Sequence, residues 1–240
     1  NFTGSLLVGH TTTGTLDAAT YNTIIGIDAG NEITTADNNT LIGYNSGTEL
    51  KQGTANVGVG GHTFASIENT SNNTTVGYLS QKDATGANNT SIGYDSLEDV
   101  TGTGNIGVGY QAGNNITSGS GNVVIGNADV SSATGNDQLS ISSGDDGSVV
   151  WMTGDSSANV VFAAEVAAAT LDISGNADID GTLEADAYTI EGTSFIKLAG
   201  TNFTGSLLLG HSTTGSLDAA TYNTGVGLTA LDALTTADEN

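Results

Sequence analysis

The sequence lacks several things that most folded proteins have. Its 240 residues include no cysteine, so the fold has no disulfide framework and the redox compartment cannot be read from thiols. Arginine is absent as well, and only Lys51, Lys82 and Lys197 oppose 26 acidic residues, which gives a net charge of −23. Nucleic acid and anionic membrane surfaces are therefore poor partners, because both attract lysine and arginine. Such a charge suits a soluble surface in salty or cation-rich surroundings.

Large apolar side chains are scarce too. Hydrophobic residues make up 37% of the chain and aromatic residues 5%, which is little for a chain that must fill a wide core. Low hydrophobicity with high net charge is typical of disorder, but Ile, Leu and Val recur here at fixed intervals, which favours a thin, ordered core. The sequence contains no transmembrane run and no signal peptide. It begins Asn1-Phe2-Thr3 without methionine, so we expect the natural start to lie elsewhere.

What the sequence does contain is repetition at two scales. Residues 1–39 return as residues 202–240 with 27 identical positions, at an offset of 201 residues. The chain therefore holds one full unit and the start of the next. We expect it to be a window on a longer tandem array.

Within the unit, a motif returns every 16 or 17 residues. Each copy has an anchor residue, a β-branched residue three positions later, glycine four positions later and, in most copies, an aliphatic residue eleven positions later. The anchors are Ser5, Asn22, Asn39, Asn56, Asn73, Asn89, Asn105 and Asn122. The β-branched residues are Val8, Ile25, Ile42, Val59, Val76, Ile92, Val108 and Ile125. The glycines are Gly9, Gly26, Gly43, Gly60, Gly77, Gly93, Gly109 and Gly126. The eleventh positions are Leu16, Ile33, Leu50, Ile67, Ala84, Val100 and Ile116.

This period is too short for a pair of helices, and glycine together with β-branched residues disfavours helix. The pattern predicts an all-β, parallel β-solenoid whose coils stack at about 4.8 Å. We predict that the third and eleventh positions after the anchor form the core, and that the second position, often apolar or small, points outward. The anchor amides are expected to hydrogen-bond from coil to coil, and the glycines to form bends.

Aromatic residues follow the same period. Several tyrosines lie five residues after their anchors, and they predict a broken aromatic stripe along one face. His10 in the first coil and His211 in the next unit are expected to join it. The tyrosines are Tyr44, Tyr78, Tyr94 and Tyr110.

Segments such as residues 88–126, NNTSIGYDSLEDVTGTGNIGVGYQAGNNITSGSGNVVIG, resemble the head repeats of trimeric autotransporter adhesins. They resemble even more the related NTAIGYQA-like repeats of phage tail fibres and bacterial surface fibre proteins. The resemblance covers residues 1–147 and resumes after residue 202. It implies a left-handed parallel β-roll, three copies of which pack side by side as a homotrimer. An apolar ladder on the outside of such a roll would need a partner.

We divide the chain into a β-roll head of about eight coils at 1–147, a β-rich connector at 148–200, and the start of the next unit at 201–240. In the connector, the segments SVVWM (148–152) and NVVFAAEVAAA (159–169) predict strands, with a short helix near 163–169 as the alternative. Residues 171–188 show a six-residue period with strand-like alternation. It resembles the β-prism or triple-β shafts of phage tail fibres, which implies intertwined chains.

The candidate binding residues have simple structural explanations. Acidic residues recur in the six-residue period, where a Ca²⁺ site is the alternative to a solvated acidic face. The histidines His10, His62 and His211 lack a second ligand at metal-binding spacing. The glycine-rich segments lack the Lys-Ser/Thr and the strand–loop–helix frame of a phosphate loop. Glycosylation sequons occur at Asn38, Asn69, Asn72, Asn73, Asn88, Asn89 and Asn115, in a composition that produces them by chance. The acidic positions are Asp172, Asp178, Asp180, Glu184 and Asp186.

We find no constellation for catalysis, no cofactor site and no metal site, so we expect a protein that is not an enzyme. The leading hypothesis is a structural and adhesive fibre segment, extracellular, on a cell surface or a virion. Its expected partners are further copies of itself, as a homotrimer with head-to-tail units, and a host-cell or glycan receptor. The alternatives are a phage tail fibre or spike shaft, and an architectural filament without a receptor. A third alternative, an ice-binding solenoid, would need a regular Thr-x-Thr ladder, and the threonines do not keep one position.

Overall fold

The computed structural model describes residues 4–9, 18–143, 146–168 and 172–174, and four further strands at 188–190, 193–198, 207–209 and 224–226. The chain divides into two compact units, Asn1–Ala168 and Ala169–Asn240.

The first unit is a parallel β-solenoid. Each coil contributes one three-residue strand, and each strand pairs in parallel with the strand of the next coil, position for position, as in Thr23↔Thr40 and Ile24↔Leu41. The strands follow one another in the sheet in chain order. They are β1 (Leu6–Val8), β2 (Thr23–Ile25), β3 (Thr40–Ile42), β4 (Val57–Val59), β5 (Thr74–Val76), β6 (Thr90–Ile92), β7 (Ile106–Val108) and β8 (Val123–Ile125). The all-β parallel β-solenoid with coils of about 17 residues is therefore confirmed.

The bend after each strand depends on glycine. At Gly77 the backbone has φ of 136°, and a Cβ added there would lie 2.0 Å from the carbonyl oxygen of Gly93 in the next coil. Equivalent glycines at Gly26, Gly43, Gly60, Gly93 and Gly109 have φ between 136° and 143°. A side chain at this position would therefore collide with the backbone of the neighbouring coil, which explains why the motif repeats glycine there.

The anchor asparagines form a buried column inside the solenoid. The Asn22 Oδ1 accepts hydrogen bonds from the Asn39 backbone N–H at 2.9 Å and from Asn39 Nδ2 at 3.1 Å. Asn39 Nδ2 also donates to the carbonyl of Gly53 at the end of its own coil, at 2.9 Å. Each anchor amide therefore links its own coil to its neighbour and satisfies polar groups that would otherwise be buried without partners.

The column runs from Ser5 to Gln138. The Ser5 hydroxyl accepts from the Asn22 N–H at 2.8 Å, and Gln138 donates to Asn122 Oδ1 from its backbone N–H at 2.9 Å and from Nε2 at 3.2 Å. The members between them are Asn22, Asn39, Asn56, Asn73, Asn89, Asn105 and Asn122, all at most 1% exposed. We define these residues together as the amide column.

Two coil lengths share one column because the length varies in a single turn. In a 17-residue coil, Asn39 donates to the carbonyl 14 residues later, Gly53. In a 16-residue coil, Asn89 donates to the carbonyl 13 residues later, Gly102. The residue lost therefore lies between the eleventh position and this carbonyl, and the strand and the column keep their register.

The core differs from the prediction at one position. The residue two after the anchor faces inward, as Ile24 and Leu41 show with exposures of 1% and 0%. The residue three after the anchor faces outward, with Ile92 42% exposed and Ile125 43% exposed. The prediction that Val8, Ile25, Ile42, Val59, Val76, Ile92, Val108 and Ile125 face the core was therefore wrong, as was the outward placement of the second position.

The reason for this reversal is the burial of the anchor. Side chains alternate along a strand, so the residue two after an inward asparagine must also face inward. An asparagine interpreted as a turn residue does not fix this parity, which is why the prediction was wrong. The eleventh position was predicted correctly, because its residues are at most 1% exposed. They are Ile33, Leu50, Ile67, Ala84, Val100 and Ile116.

Part of the thin core is filled by size compensation within a coil. The second and eighth positions after the anchor meet inside, and in three coils a large residue at one of them faces glycine at the other. A Cβ on Gly47 would lie 2.6 Å from Leu41 Cδ1. In the next coil the order is reversed, since a Cβ on Gly58 would lie 3.1 Å from Phe64 Cδ2. The large side chains of these coils therefore fill the space that glycine leaves, as close packing requires.

The parallel sheet ends in antiparallel strands. β9 (Leu139–Ser143) pairs in parallel with β8, and β10 (Val149–Gly154) then pairs antiparallel with β9, with a bulge between Val150 and Met152. β11 (Val160–Phe162) pairs antiparallel with β10. The predicted strand at 159–169 therefore covers only three residues, and residues 163–168 form neither strand nor helix.

The second unit contains a four-stranded sheet in the order β12 (Tyr188–Ile190), β13 (Thr193–Leu198), β14 (Leu207–Leu209) and β15 (Thr224–Val226). β14 and β15 are the repeats of β1 and β2, and they pair in parallel in the same register. β13 pairs antiparallel with β14. Most of the six-residue period predicted at 171–188 lies outside the described residues.

Replacing one amide of the column tests its contribution to stability. We expect Asn105→Ala to lower the free energy of unfolding by about 2–4 kcal/mol, because the Asn122 N–H and the Gly119 carbonyl lose their buried partner. The exposed Asn69→Ala should change it by less than about 0.5 kcal/mol. Urea unfolding followed by circular dichroism measures both. Equal stability of the two variants would contradict a supporting role for the column.

Candidate functional site

One face of the solenoid carries no charge. It consists of the outward residues of the strands, at the first and third positions after each anchor, and we call it the uncharged strand face. Fifteen of its sixteen residues are β-branched and one is leucine, on a chain whose net charge is −23. The first positions are Leu6, Thr23, Thr40, Val57, Thr74, Thr90, Ile106 and Val123. The third positions are Val8, Ile25, Ile42, Val59, Val76, Ile92, Val108 and Ile125.

The uncharged strand face is exposed to solvent in the single chain. Ile106 is 39% exposed, and Val8 is 47% exposed. A parallel sheet in globular proteins is normally covered on both faces, because its strands are apolar on both. Here the inner face is covered by the rest of each coil and the outer face is not covered by any described residue.

An aromatic stripe runs along the edge beside this face. Tyr78 and Tyr94 stack with ring centroids 5.8 Å apart, and Tyr94 and Tyr110 stack at 5.2 Å. His62 fills the interval between Tyr44 and Tyr78, with edge contacts at 5.2 Å and 5.5 Å. The stripe is therefore continuous from Tyr44 to Tyr110, where the sequence predicted a break.

The sequence analysis missed His62 because this residue lies six positions after its anchor, behind Gly61, and not five. His62 adopts a left-handed backbone with φ of 57°, as do Asn45 and Asp95 at the same position. The Gly-His pair at the position of a tyrosine was the available signal. His10 and His211, predicted to join the stripe, lie outside the described residues.

Stacking leaves the edges and hydroxyls of the rings in solvent and covers most of their faces. The tyrosines are 43% to 54% exposed. Partial burial raises the pKa of the Tyr94 hydroxyl, and the neighbouring Asp95 carboxylate and the rings of Tyr110 and Tyr78 add to the rise. The Tyr94 hydroxyl therefore stays neutral near neutral pH.

Lysines bridge acids of neighbouring coils on another side of the solenoid. Lys51 Nζ lies 3.4 Å from Glu32 Oε2 and 2.5 Å from Glu68 Oε1, one coil to each side. The hydrogen bond with Glu68 raises the pKa of Lys51, against a smaller opposing effect of desolvation. These exposed pairs relieve repulsion between stacked carboxylates and contribute little stability of their own.

A second lysine lies beside a cluster of acidic residues. Lys82 Nζ lies 2.9 Å from Asp83 Oδ2 and 3.7 Å from Glu98 Oε1. Carboxylate oxygens of Asp83, Glu98 and Asp99 lie within 4.8 Å of one another, a spacing that could hold a metal ion. Partial burial raises the pKa of Glu98, and its hydrogen bond and charge interaction with Asp95 raise it further. The Lys82 ammonium already supplies positive charge here, so the carboxylates have a partner without a metal ion.

The interior contains a polar section that sequence reasoning did not identify. The Thr75 hydroxyl donates to Ser80 Oγ at 2.5 Å, and Ser80 and Ser91 share a hydrogen bond of the same length. Gln81 lies beside them at the eighth position, fully buried, and its amide forms no hydrogen bond with any described residue. Thr75 and Ser91 occupy the second position after the anchor, where Ile24, Leu41 and Val124 are apolar in other coils.

The other predicted candidates are distributed as follows. Asn73 and Asn89 belong to the buried amide column, so neither sequon is accessible in the fold. Asn38, Asn69, Asn72 and Asn88 are exposed, and Asn115 is partly buried. Of the acidic residues of the six-residue period, Asp172 is exposed, and Asp178, Asp180, Glu184 and Asp186 lie outside the described residues.

Comparisons with protein-family models, with curated proteins and with solved structures found no match. A search of the described residues for a helix that is long and apolar enough to cross a membrane also found none.

The acidic cluster provides a test of the electrostatics. Because the folded state raises the pKa of Glu98, its ionised form costs stability, and the cost appears as pH rises through the folded pKa. We expect Glu98→Gln to be more stable than the original chain at pH 7, by about 0.5 kcal/mol after solvent screening. The difference should vanish in acid, where the glutamate is protonated in both states.

The matched control is Glu49→Gln, which removes an exposed glutamate and the same charge. Its unfolding midpoint in urea should stay close to that of the original chain. A destabilised Glu98→Gln variant at pH 7 would mean that the Lys82 ion pair outweighs the repulsion.

Proposed function

We propose that this chain is a segment of an extracellular structural and adhesive fibre, built from tandem 201-residue units on a cell surface or a virion. The observation that carries the proposal is the uncharged strand face. This face is apolar at twelve of its sixteen positions and carries threonine at the other four, and an exposed face rich in apolar residues marks an interaction site. On a chain with a net charge of −23, it is also the side on which copies can pack without bringing acids together.

The partner on this face is a further copy of the same chain, in a homotrimer. The face repeats the same residue types over eight coils, so two copies aligned side by side meet like with like along their whole length. The choice of three copies follows the resemblance to trimeric adhesin heads and tail fibres, which also implies a left-handed roll. The connector at 148–200 would then be an intertwined β shaft, as the resemblance of its six-residue period to tail-fibre shafts implies.

The proposed fibre acts through its stiffness, its length and its repeated surfaces. In-register strands and the amide column make each solenoid stiff, and repetition of units supplies length and multivalency. The aromatic stripe is the adhesive surface of this proposal, because its tyrosine edges and hydroxyls lie in solvent beside the packed face. A host-cell or glycan receptor fits such a surface. A phage tail fibre or spike shaft would use the same geometry.

An architectural filament without a receptor is the second candidate. The stacking of Tyr78, Tyr94 and Tyr110 favours it, because the ring faces that would stack on sugars are covered by neighbouring rings. Glycan-array and cell-binding assays on the isolated fibre separate the two. Binding supports the adhesin, and its absence supports the filament.

Light scattering tests the assembly. We expect a mass of about 72 kDa, three times the 23.9 kDa of one chain. Thr74→Asp places a charge on the uncharged strand face and should shift the mass toward the monomer, because a carboxylate would be buried between copies. Thr85→Asp is the matched control, exposed and outside the uncharged strand face, and should leave the mass unchanged.

Two results would contradict the proposal. One is a monomeric or two-fold particle at every concentration of the original chain. The other is a trimer that Thr74→Asp does not weaken, which would place the contact between copies elsewhere.

A further inference from the structure

The first strand of the solenoid has an open edge. The Leu6 N–H donates to the Asn22 carbonyl at 2.8 Å, and the Val8 carbonyl accepts from the Gly26 N–H at 2.9 Å, so both residues direct their backbone groups toward β2. In a parallel strand, alternate residues direct theirs to opposite sides. The N–H and C=O of Leu7 therefore face away from β2. Within the described part of the chain, β2 is the single strand paired with β1.

The second copy of this strand has a partner on that side. Residues 202–208 repeat residues 1–7 without a change, so Leu208 is the counterpart of Leu7. β13 pairs antiparallel with β14, with Lys197 opposite Leu208, Ile196 opposite Leu209 and Leu198 opposite Leu207. The edge that is open on β1 is thus covered on its repeat, by the segment that precedes the repeat in sequence.

An open edge of this kind needs a cover. Natural sheets protect their edges with charged residues, proline, bulges or a covering segment, because free N–H and C=O groups recruit other strands. Leu6, Leu7 and Val8 contain neither charge nor proline. The far end of the same sheet continues into the antiparallel strands β10 and β11, whereas no antiparallel strand of the described residues pairs with β1.

We infer that the edge of β1 is a docking site for a strand with the sequence of residues 193–198, supplied by a second copy of the unit. The docked strand runs antiparallel to β1, with Lys197 opposite Leu7, Ile196 opposite Val8 and Leu198 opposite Leu6. The affinity comes from main-chain hydrogen bonds, as in other cases of strand addition. The inference rests on the tandem fibre proposed above, in which the preceding unit supplies the strand.

This pairing would flank the parallel strands of each solenoid with an antiparallel strand at both ends, the 193–198 strand before β1 and β10 after β9. Units would then be joined through the capping strand and would not stack through bare sheet edges. The length of the fibre is set by the number of units and not by continuous growth of one sheet.

The test adds a copy of residues 188–201 in front of Asn1, which reproduces the order in which these residues precede Asn202. Hydrogen–deuterium exchange of the Leu7 amide is measured by NMR on the full chain with and without the extension. We expect exchange at Leu7 to slow by about tenfold or more, because its N–H gains a partner in the sheet. The matched control carries Lys197→Pro in the added copy, which removes the N–H opposite Leu7 and should restore fast exchange.

Two outcomes would overturn the inference. One is equal exchange at Leu7 with and without the extension, including the case in which the amide is already protected in the original chain. The other is equal protection by the original and the proline-containing extensions. The light-scattering mass of the same samples tests the fibre proposal separately, since a trimer can persist with β1 uncapped.

Discussion

The rest of this structure depends on the pairing of buried amides along the solenoid axis. A coil of 16 or 17 residues has room inside for few side chains, and any unpaired polar group there costs about 1–3 kcal/mol. The amide column meets this constraint by giving each asparagine partners in its own coil and in both neighbours. Ser5 and Gln138 occur where the column begins and ends.

The column also decides which residues meet the solvent. Because the anchor faces inward, the strand parity turns the second position inward and the first and third outward. The inner residues vary in size, and in some coils the eighth position compensates, as Leu41 with Gly47 and Gly58 with Phe64 illustrate. The outer residues keep a β-branched, uncharged character over eight coils. In a single chain these residues favour the extended strand and stack in register from coil to coil, and the proposed contact between copies would use the same regularity.

The charges of the molecule lie apart from that face. Lys51 and Lys82 each bridge acids of neighbouring coils. Both lysines of the first unit therefore reduce the repulsion between nearby carboxylates. The remaining acids give the other sides of the solenoid a negative charge. In the proposed fibre, the uncharged strand face would pack against other copies, the aromatic stripe would contact a receptor, and the acidic sides would stay in solvent.

Much of the fold could be predicted from the sequence, because a repeated motif converts a spacing into a position in space. The coil length, the parallel register and the buried eleventh position all follow from the period. The inward face of the strand could not be derived while Asn22 and its equivalents were taken as turn residues, since either parity gave an apolar ladder. The position of His62 in the stripe could not be predicted, because this residue follows its anchor by six positions and the tyrosines follow theirs by five. The left-handed backbone at His62 brings its ring to Tyr44 all the same. The polar interior at Gln81 has no signal in the period at all.

The central claim of this account is that the uncharged strand face is covered by other copies of the chain. The sequence contains no cysteine, so a single Val76→Cys variant reports on one residue of that face, and Thr85→Cys reports on an exposed position outside it. The rate at which a charged thiol reagent labels the intact particle measures the cover. The account predicts that Val76→Cys reacts at least about tenfold more slowly than Thr85→Cys, and that denaturant abolishes the difference. Equal rates in the native particle would show that the face lies in solvent and would contradict the account.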